Sequence, residues 1–248
     1  MPQSRFKEIY QDLQGSIESG IFSYQSLLPS ENMLCSQYDC SRSTVRRAMN
    51  ELALDGYVQP IQGKGVRVIW RPETDERMDY AMDGLETFED TATRQGFKPT
   101  TQVRGFQTLE VEDELAGLTG FAPGERIYLI DRVRLANNFP VSIETSYLLC
   151  SEAPDLTEEL AAGSLYGYIE NEVGIQIATG KRTITVEAAT EDDLAVFGLE
   201  KLPAVGVIRG QHFDANGVMF EYSEIRQHPS YFSIREVVTR PSSQPIHG

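Results

Sequence analysis

The sequence predicts an α+β protein of two domains: a small helical unit closed by a β-hairpin, then a larger unit on an antiparallel sheet. Three observations predict it. At 248 residues with 40% hydrophobic content, the chain is long enough for two ordinary domains, each with a core. Apolar residues recur at helical spacing as far as Leu52. From Asp83 onward, strand-like runs alternate with short helices and are joined by hairpin-type turns. The boundaries follow: residues 1–70, a polar linker "RPETDERMDYAM" over 71–82, a second domain over 83–240 and a tail over 241–248.

In the first unit Phe6, Ile9, Tyr10, Leu13 and Ile17 mark an amphipathic helix ending near Gly20. Ser30 caps a second helix from Glu31 to about Tyr38, Asp39-Cys40 makes a turn, and Ser41 caps a third. Val45, Met49 and Leu52 form the buried side of that third helix. Ser43, Arg46, Arg47 and Asn50, at i, i+3, i+4 and i+7, line the other. Gly56 stops the helix as its C-terminal cap. "YVQPI" and "VRVIW" then read as two strands around Gln62-Gly63-Lys64-Gly65. The pattern is a helix-turn-helix followed by a wing.

Charge placement says what such a unit is for. The chain carries a net charge of -15, which argues against nucleic acid. Yet residues 1–70 hold seven Lys/Arg against seven Asp/Glu, so the whole excess lies beyond them, and Arg42, Arg46, Arg47 and Lys64 cluster on the third helix and wing. A helix fits the major groove and its N-terminal residues reach base edges, where Arg pairs bidentately with guanine. Arg42, Ser43, Thr44 and Arg46 occupy that end. Gly63 and Gly65 let the hairpin backbone approach a phosphate chain, with Lys64 between them. The expected partner is double-stranded DNA.

In the second unit the strand-like runs are "TTQVRGFQTLEV", "RIYLIDRVRLA", "VSIETSYLL", "GKRTITVEAA", "AVGVIRGQHF" and "VMFEYSEIRQ", with "NNFP" and "DANG" as hairpin turns. Helices are expected at Leu85–Gln95, Glu112–Thr119, Leu165–Val173 and Glu191–Phe197, each followed shortly by glycine. Arg132 and Arg134, two apart on one strand, project from one face, and Glu144 lies across the turn in the partner strand. Ser164 caps the helix that begins with Leu165 and Tyr166. Two arginines, a helix start and a tyrosine suit a phosphate or carboxylate. A facing glutamate suits sugar hydroxyls.

Other classes find little support. Cys35, Cys40 and Cys150 lack C-x-x-C spacing, and His212, His228 and His247 are scattered, which reads as structural or solvated histidines and neither a disulfide framework nor a metal site. No basic-then-apolar leader and no membrane-length apolar run appears, so a cytoplasmic protein is expected. An enzyme with Glu144 or Glu221 as acid-base catalyst is disfavoured, because no paired acid and base, nucleophile motif or nucleotide loop accompanies them. No cofactor is implied.

The motifs "LPSE", "SRSTVRRAMNELALDGYV" and "GKG" resemble the winged helix-turn-helix of the GntR family of bacterial transcription regulators over about residues 5–70. In that family the positions of Arg42, Ser43, Thr44 and Arg46, with the wing glycines, contact the operator. Asn32 departs from the arginine that many members carry there. "DRVRLANNFPVSIETSYL", "SLYGYIENEVG" and "FEYSEIR" resemble the UTRA domain of the HutC branch, which implies a chorismate-lyase-like fold over about Asp83–Arg240. By that resemblance Thr87, Phe88, Arg132, Arg134, Ser164 and Tyr166 surround the phosphate of a phosphosugar, and Glu144 and Glu221 hold its sugar. Gln227 stands where such sensors carry Tyr or His. "SLYGYIENEVGIQI" and "TVEAATEDD" are most similar to the branch members that repress trehalose operons, which implies trehalose 6-phosphate as effector. A carboxylate metabolite is the alternative. The resemblance also implies a homodimeric repressor released by its effector.

Overall fold

The computed structural model describes residues 5–72, 78–81, 85–199 and 204–238. The chain divides into two compact units, Met1–Asp75 with Val237–Gly248, and Glu76–Glu236. The second unit therefore ends earlier than expected, and Val237 packs within the first, close enough to Gly56 that a Cβ there would meet its Cγ2 at 2.8 Å. The expected tail 241–248 lies outside the described residues.

The first unit comprises α1 (Arg5–Glu18), α2 (Glu31–Tyr38), α3 (Arg42–Leu54) and the antiparallel pair β1 (Val58–Ile61) and β2 (Gly65–Val68). Ile9, Leu13 and Ile17 of α1 are buried against Leu34 of α2 and Val45, Ala48, Met49 and Leu52 of α3. Each large aliphatic so buried contributes about 1.5–3 kcal/mol. Ser30 and Ser41 cap α2 and α3 as the sequence indicates. Asp39 takes the left-handed conformation at the turn (φ 45°). The end of α3 differs slightly: Asp55 is the cap, and Gly56, at φ 77°, turns the chain just beyond it. The stretch before α2 also joins the wing, through Leu28 N–H to Val66 O at 2.9 Å and Val68 N–H to Ser26 O at 2.9 Å.

The second unit is built on six antiparallel strands: β4 (Pro99–Glu110), β5 (Arg126–Ala136), β6 (Phe139–Leu149), β7 (Ile177–Ala188), β8 (Ala204–Asp214) and β9 (Met219–Gln227), in spatial order 4-5-6-9-8-7. Asn137 and Asn138 both adopt positive φ at the β5–β6 turn, the type I′ signature that sets its register. Four residues of the expected linker region tell against that reading: Met78 to Ala81 form β3, which pairs in parallel with β10 (Phe232–Arg235). A four-residue strand whose partner lies far along the chain leaves no local period to read.

Period-2 alternation divides the sheet. Val133 and Ile143 turn to one face, against Phe197 of α8 (Glu191–Phe197), while α5 (Asp113–Thr119) joins another cluster containing Val111, Phe121 and Ile127. Ile130 and Leu148 turn to the other, beneath α6 (Glu158–Ala161) and α7 (Leu165–Tyr168). The expected helix over Leu165–Val173 changes character after Tyr168 and finishes as a π-helical turn, Ile169–Val173. The helix expected from Leu85 starts later, as α4 (Phe88–Gln95), because Thr87 and Asp90 form a capping box that fixes its first turn.

Candidate functional site

At the N-terminal end of α3, the Ser41 hydroxyl accepts from Thr44 N–H at 3.3 Å and lies 2.8 Å from the hydroxyls of both Ser43 and Thr44. Arg42, Ser43, Arg46 and Arg47 are all exposed, and Thr44 is half-buried. The arginines differ in what they touch. Arg46 Nε donates to both carboxylate oxygens of Glu31, at 2.9 and 3.1 Å, and this contact holds the Glu31 carboxyl below its ordinary range. Arg47, read from spacing as part of the polar face, stacks its guanidinium 3.8 Å over the Phe6 ring and so clips α3 to α1. In the wing Gly63 (φ 71°) and Gly65 (φ 104°) form the turn that leaves Lys64 exposed, closed by Lys64 N–H to Ile61 O at 3.0 Å.

The eight residues expected to hold an effector line a single cavity: Thr87, Phe88, Arg132, Arg134, Glu144, Ser164, Tyr166 and Glu221. It encloses about 110 Å³, several times the ~10–15 Å³ that admits one water. Its floor is the sheet. Arg132 stands directly opposite Glu144 in the β5–β6 register, and both arginines converge on one oxygen, with Arg132 Nη2 at 3.1 Å and Arg134 Nε at 2.9 Å from Glu144 Oε2. Arg134 also donates to Thr101 Oγ1 at 2.6 Å and to Glu89 of α4 at 3.3 Å. Arg132 Nη1 reaches Ala161 O at 3.3 Å, and its Nε is buried without a hydrogen-bond partner. Burial, then the neighbouring Arg134, push the Arg132 guanidinium down to about 10, still charged at neutral pH.

A second group faces this one. The Tyr166 hydroxyl donates to Glu221 Oε2 at 2.9 Å, and His212 Nδ1 lies 3.0 Å from the same oxygen, outside hydrogen-bonding angle. Burial opposes charge on Glu221, but His212, Ser146 and Tyr166 outweigh it and hold the carboxyl below its ordinary range. Burial and Glu221 raise Tyr166 well above the usual phenol. An ionised Glu221 beside a neutral tyrosine is an acceptor for ligand hydroxyls.

Two expected residues are partly committed elsewhere. The Thr87 hydroxyl accepts from Asp90 N–H at 3.0 Å and lies 2.7 Å from Asp90 Oδ2, and the Ser164 hydroxyl accepts from Gly167 N–H at 3.1 Å. Gln227 is wholly buried, and the cavity lining does not include it. Sequence reasoning missed Glu89, Ser146, Arg182, His212 and Ser223, which also line the cavity. The alternation that turns Glu144 and Glu221 inward does the same for Ser146 and Ser223, which face each other in the β6–β9 register. Gly210 leaves room beside them, since a Cβ there would sit 3.0 Å from the His212 ring.

No group of acidic, histidine or cysteine residues suited to a metal ion occurs among the described residues, and no helix among them is long and apolar enough to cross a membrane.

The family model for bacterial regulatory proteins of the gntR family matches residues 6–68, and that for the UTRA domain matches residues 94–233. The HTH-type transcriptional regulator TreR of Bacillus subtilis strain 168 is 32% identical over 97% of this chain and 99% of its own length. The HTH-type transcriptional repressor NagR of the same organism is 30% identical over 88% of each chain. Among solved structures, the possible transcriptional regulator YydK from Bacillus subtilis superposes with a TM-score of 0.76 at 22% identity, covering 96% of this chain and 100% of that one. The effector binding domain of the Bacillus subtilis trehalose repressor superposes at 0.52 and 24% identity, covering 58% of this chain and 99% of that one. The class is that of transcription regulators joining a DNA-binding unit to a small-molecule domain. The chain belongs to the GntR family, with a UTRA domain as its second half.

Proposed function

We propose that the protein is a cytoplasmic, homodimeric repressor of a sugar-utilisation operon, released from its operator when a phosphosugar, trehalose 6-phosphate, enters the cavity. Arg42, Ser43, Thr44 and Arg46 read base edges, and Lys64 between its glycines touches the sugar-phosphate chain. One winged helix buries little surface, so two copies on two half-sites supply specific affinity. Arg132 and Arg134 take the phosphate, with Ser164, Tyr166, Thr87 and Phe88 around it. Glu144 and Glu221 accept from the sugar hydroxyls. Release follows if the effector binds the DNA-incompetent arrangement more tightly than the competent one.

The observation that carries the reading is the pair of buried arginines converging on one carboxylate in a cavity whose opposite side offers Glu221 and Tyr166. A phosphate dianion calls for the first group and a polyol for the second. The similarity to the regulator TreR across nearly the whole chain adds support for the sugar. Thermal shift of the full chain tests it. Trehalose 6-phosphate should raise the melting temperature in proportion to the logarithm of its concentration, and trehalose should have little effect. A shift with organic acids and none with any phosphosugar would replace the sugar with a carboxylate effector.

A further inference from the structure

The last turns of α2 and the turn into α3 hold two of the three cysteines, Cys35 and Cys40, and a backbone hydrogen bond links them. Cys40 N–H donates to Cys35 O at 3.2 Å, just after Asp39 has taken the left-handed conformation. This is a 6→1 bond, and the Asp39 N–H donates to the same Cys35 oxygen; helix ends closed this way frequently bring the flanking side chains together. Both cysteines are half-buried and pack against the same hydrophobic cluster. Disulfides span Cα separations of about 4.4–6.8 Å, the separation a crosslink between these two residues requires.

We infer that Cys35 and Cys40 form a reversible dithiol–disulfide modification site at the turn of the helix-turn-helix, oxidised by a small-molecule disulfide. The Cys35 thiolate attacks one sulfur of glutathione disulfide, forming a mixed disulfide and expelling one glutathione thiolate. Cys40 then attacks the Cys35 sulfur, displacing the second glutathione, and its proton goes to a released thiolate. Two protein thiols are oxidised and one glutathione disulfide is reduced to two thiols. Burial pushes the Cys40 thiol up, which suits it to the second, intramolecular step, where proximity compensates for weak acidity. The crosslink would pin the turn that sets the entry of α3. Cys150, in the other unit, has no cysteine partner and serves as an internal control.

The test uses the full chain incubated with glutathione disulfide, quenched by alkylation, digested and weighed by mass spectrometry. The peptide holding both cysteines should lose two hydrogens, escape alkylation, and recover both thiols in dithiothreitol. In Cys40→Ser the glutathione adduct on Cys35 should persist on the order of tenfold longer than in the native chain. Stable mixed disulfides on both residues of the native protein, or equal adduct lifetimes in the variant and the native chain, would overturn the assignment.

Discussion

Two arginine–glutamate contacts place the same chemistry in opposite settings. On the exposed face of α3 Arg46 meets Glu31 with side chains 63% and 39% exposed; in the cavity Arg132 and Arg134 meet Glu144 with side chains 4–5% and 12% exposed. Exposed pairs contribute little, because water and salt screen them and their side chains lose entropy on ordering. Such a pair can be traded for a phosphate or a base edge at small cost. Buried charges have no solvent to fall back on, so each needs a partner in the fold. The exposed pair is therefore weakly held. The buried one stays charged and oriented within the fold.

The comparison breaks most visibly at Glu144. Glu144→Ala leaves two buried guanidiniums facing each other and should destabilise the second unit by about 3–5 kcal/mol, read from denaturant unfolding. Added trehalose 6-phosphate should recover part of that loss by supplying the missing anion; a loss below about 1 kcal/mol would mean that solvent reaches the pair. Next comes Arg134→Ala, which should weaken the phosphosugar by about 1.5–3 kcal/mol, one to two decades in calorimetry, with operator affinity unchanged. On the outer face, Arg42→Ala should reduce operator affinity by about 1–3 kcal/mol in gel shift if it pairs with guanine, leaving effector affinity intact. Lys64→Ala should weaken operator and random DNA alike and flatten the salt dependence by about one unit of slope. The smallest effect belongs to Glu31→Gln. It frees Arg46 and should tighten DNA binding slightly at low salt, with no measurable change in melting temperature.

These contrasts also explain what could be read before the fold was known. Caps at Ser30 and Ser41, the alternation that aligns Arg132 with Arg134, and the paired asparagines at 137 and 138 are local signals, set by neighbours a few residues away. The β3–β10 pair and the hydrogen bonds from residues 25–28 to the wing depend on partners far along the chain and leave no period. His212 illustrates a different limit. A single histidine among strand residues reads as core, and only the pairing of β8 with β9 shows that it stands opposite Glu221. Spacing likewise put Arg47 beside Arg46 on one face but could not show that its guanidinium, still exposed, would lie over the Phe6 ring.

The pairing of β3 with β10 has a mechanical consequence. The chain enters the second unit along one of these strands and leaves along the other, and the two run in the same direction. Tension applied between the residues before Met78 and those after Arg235 would therefore pull the strands past each other lengthwise. Every bond of the ladder from Met78↔Phe232 to Ala81↔Arg235 would bear the load together, instead of opening one after another as in a hairpin peeled from its free end. The ends of the second unit are tied in shear, so a pull along the chain loads all four register pairs of this short ladder at once.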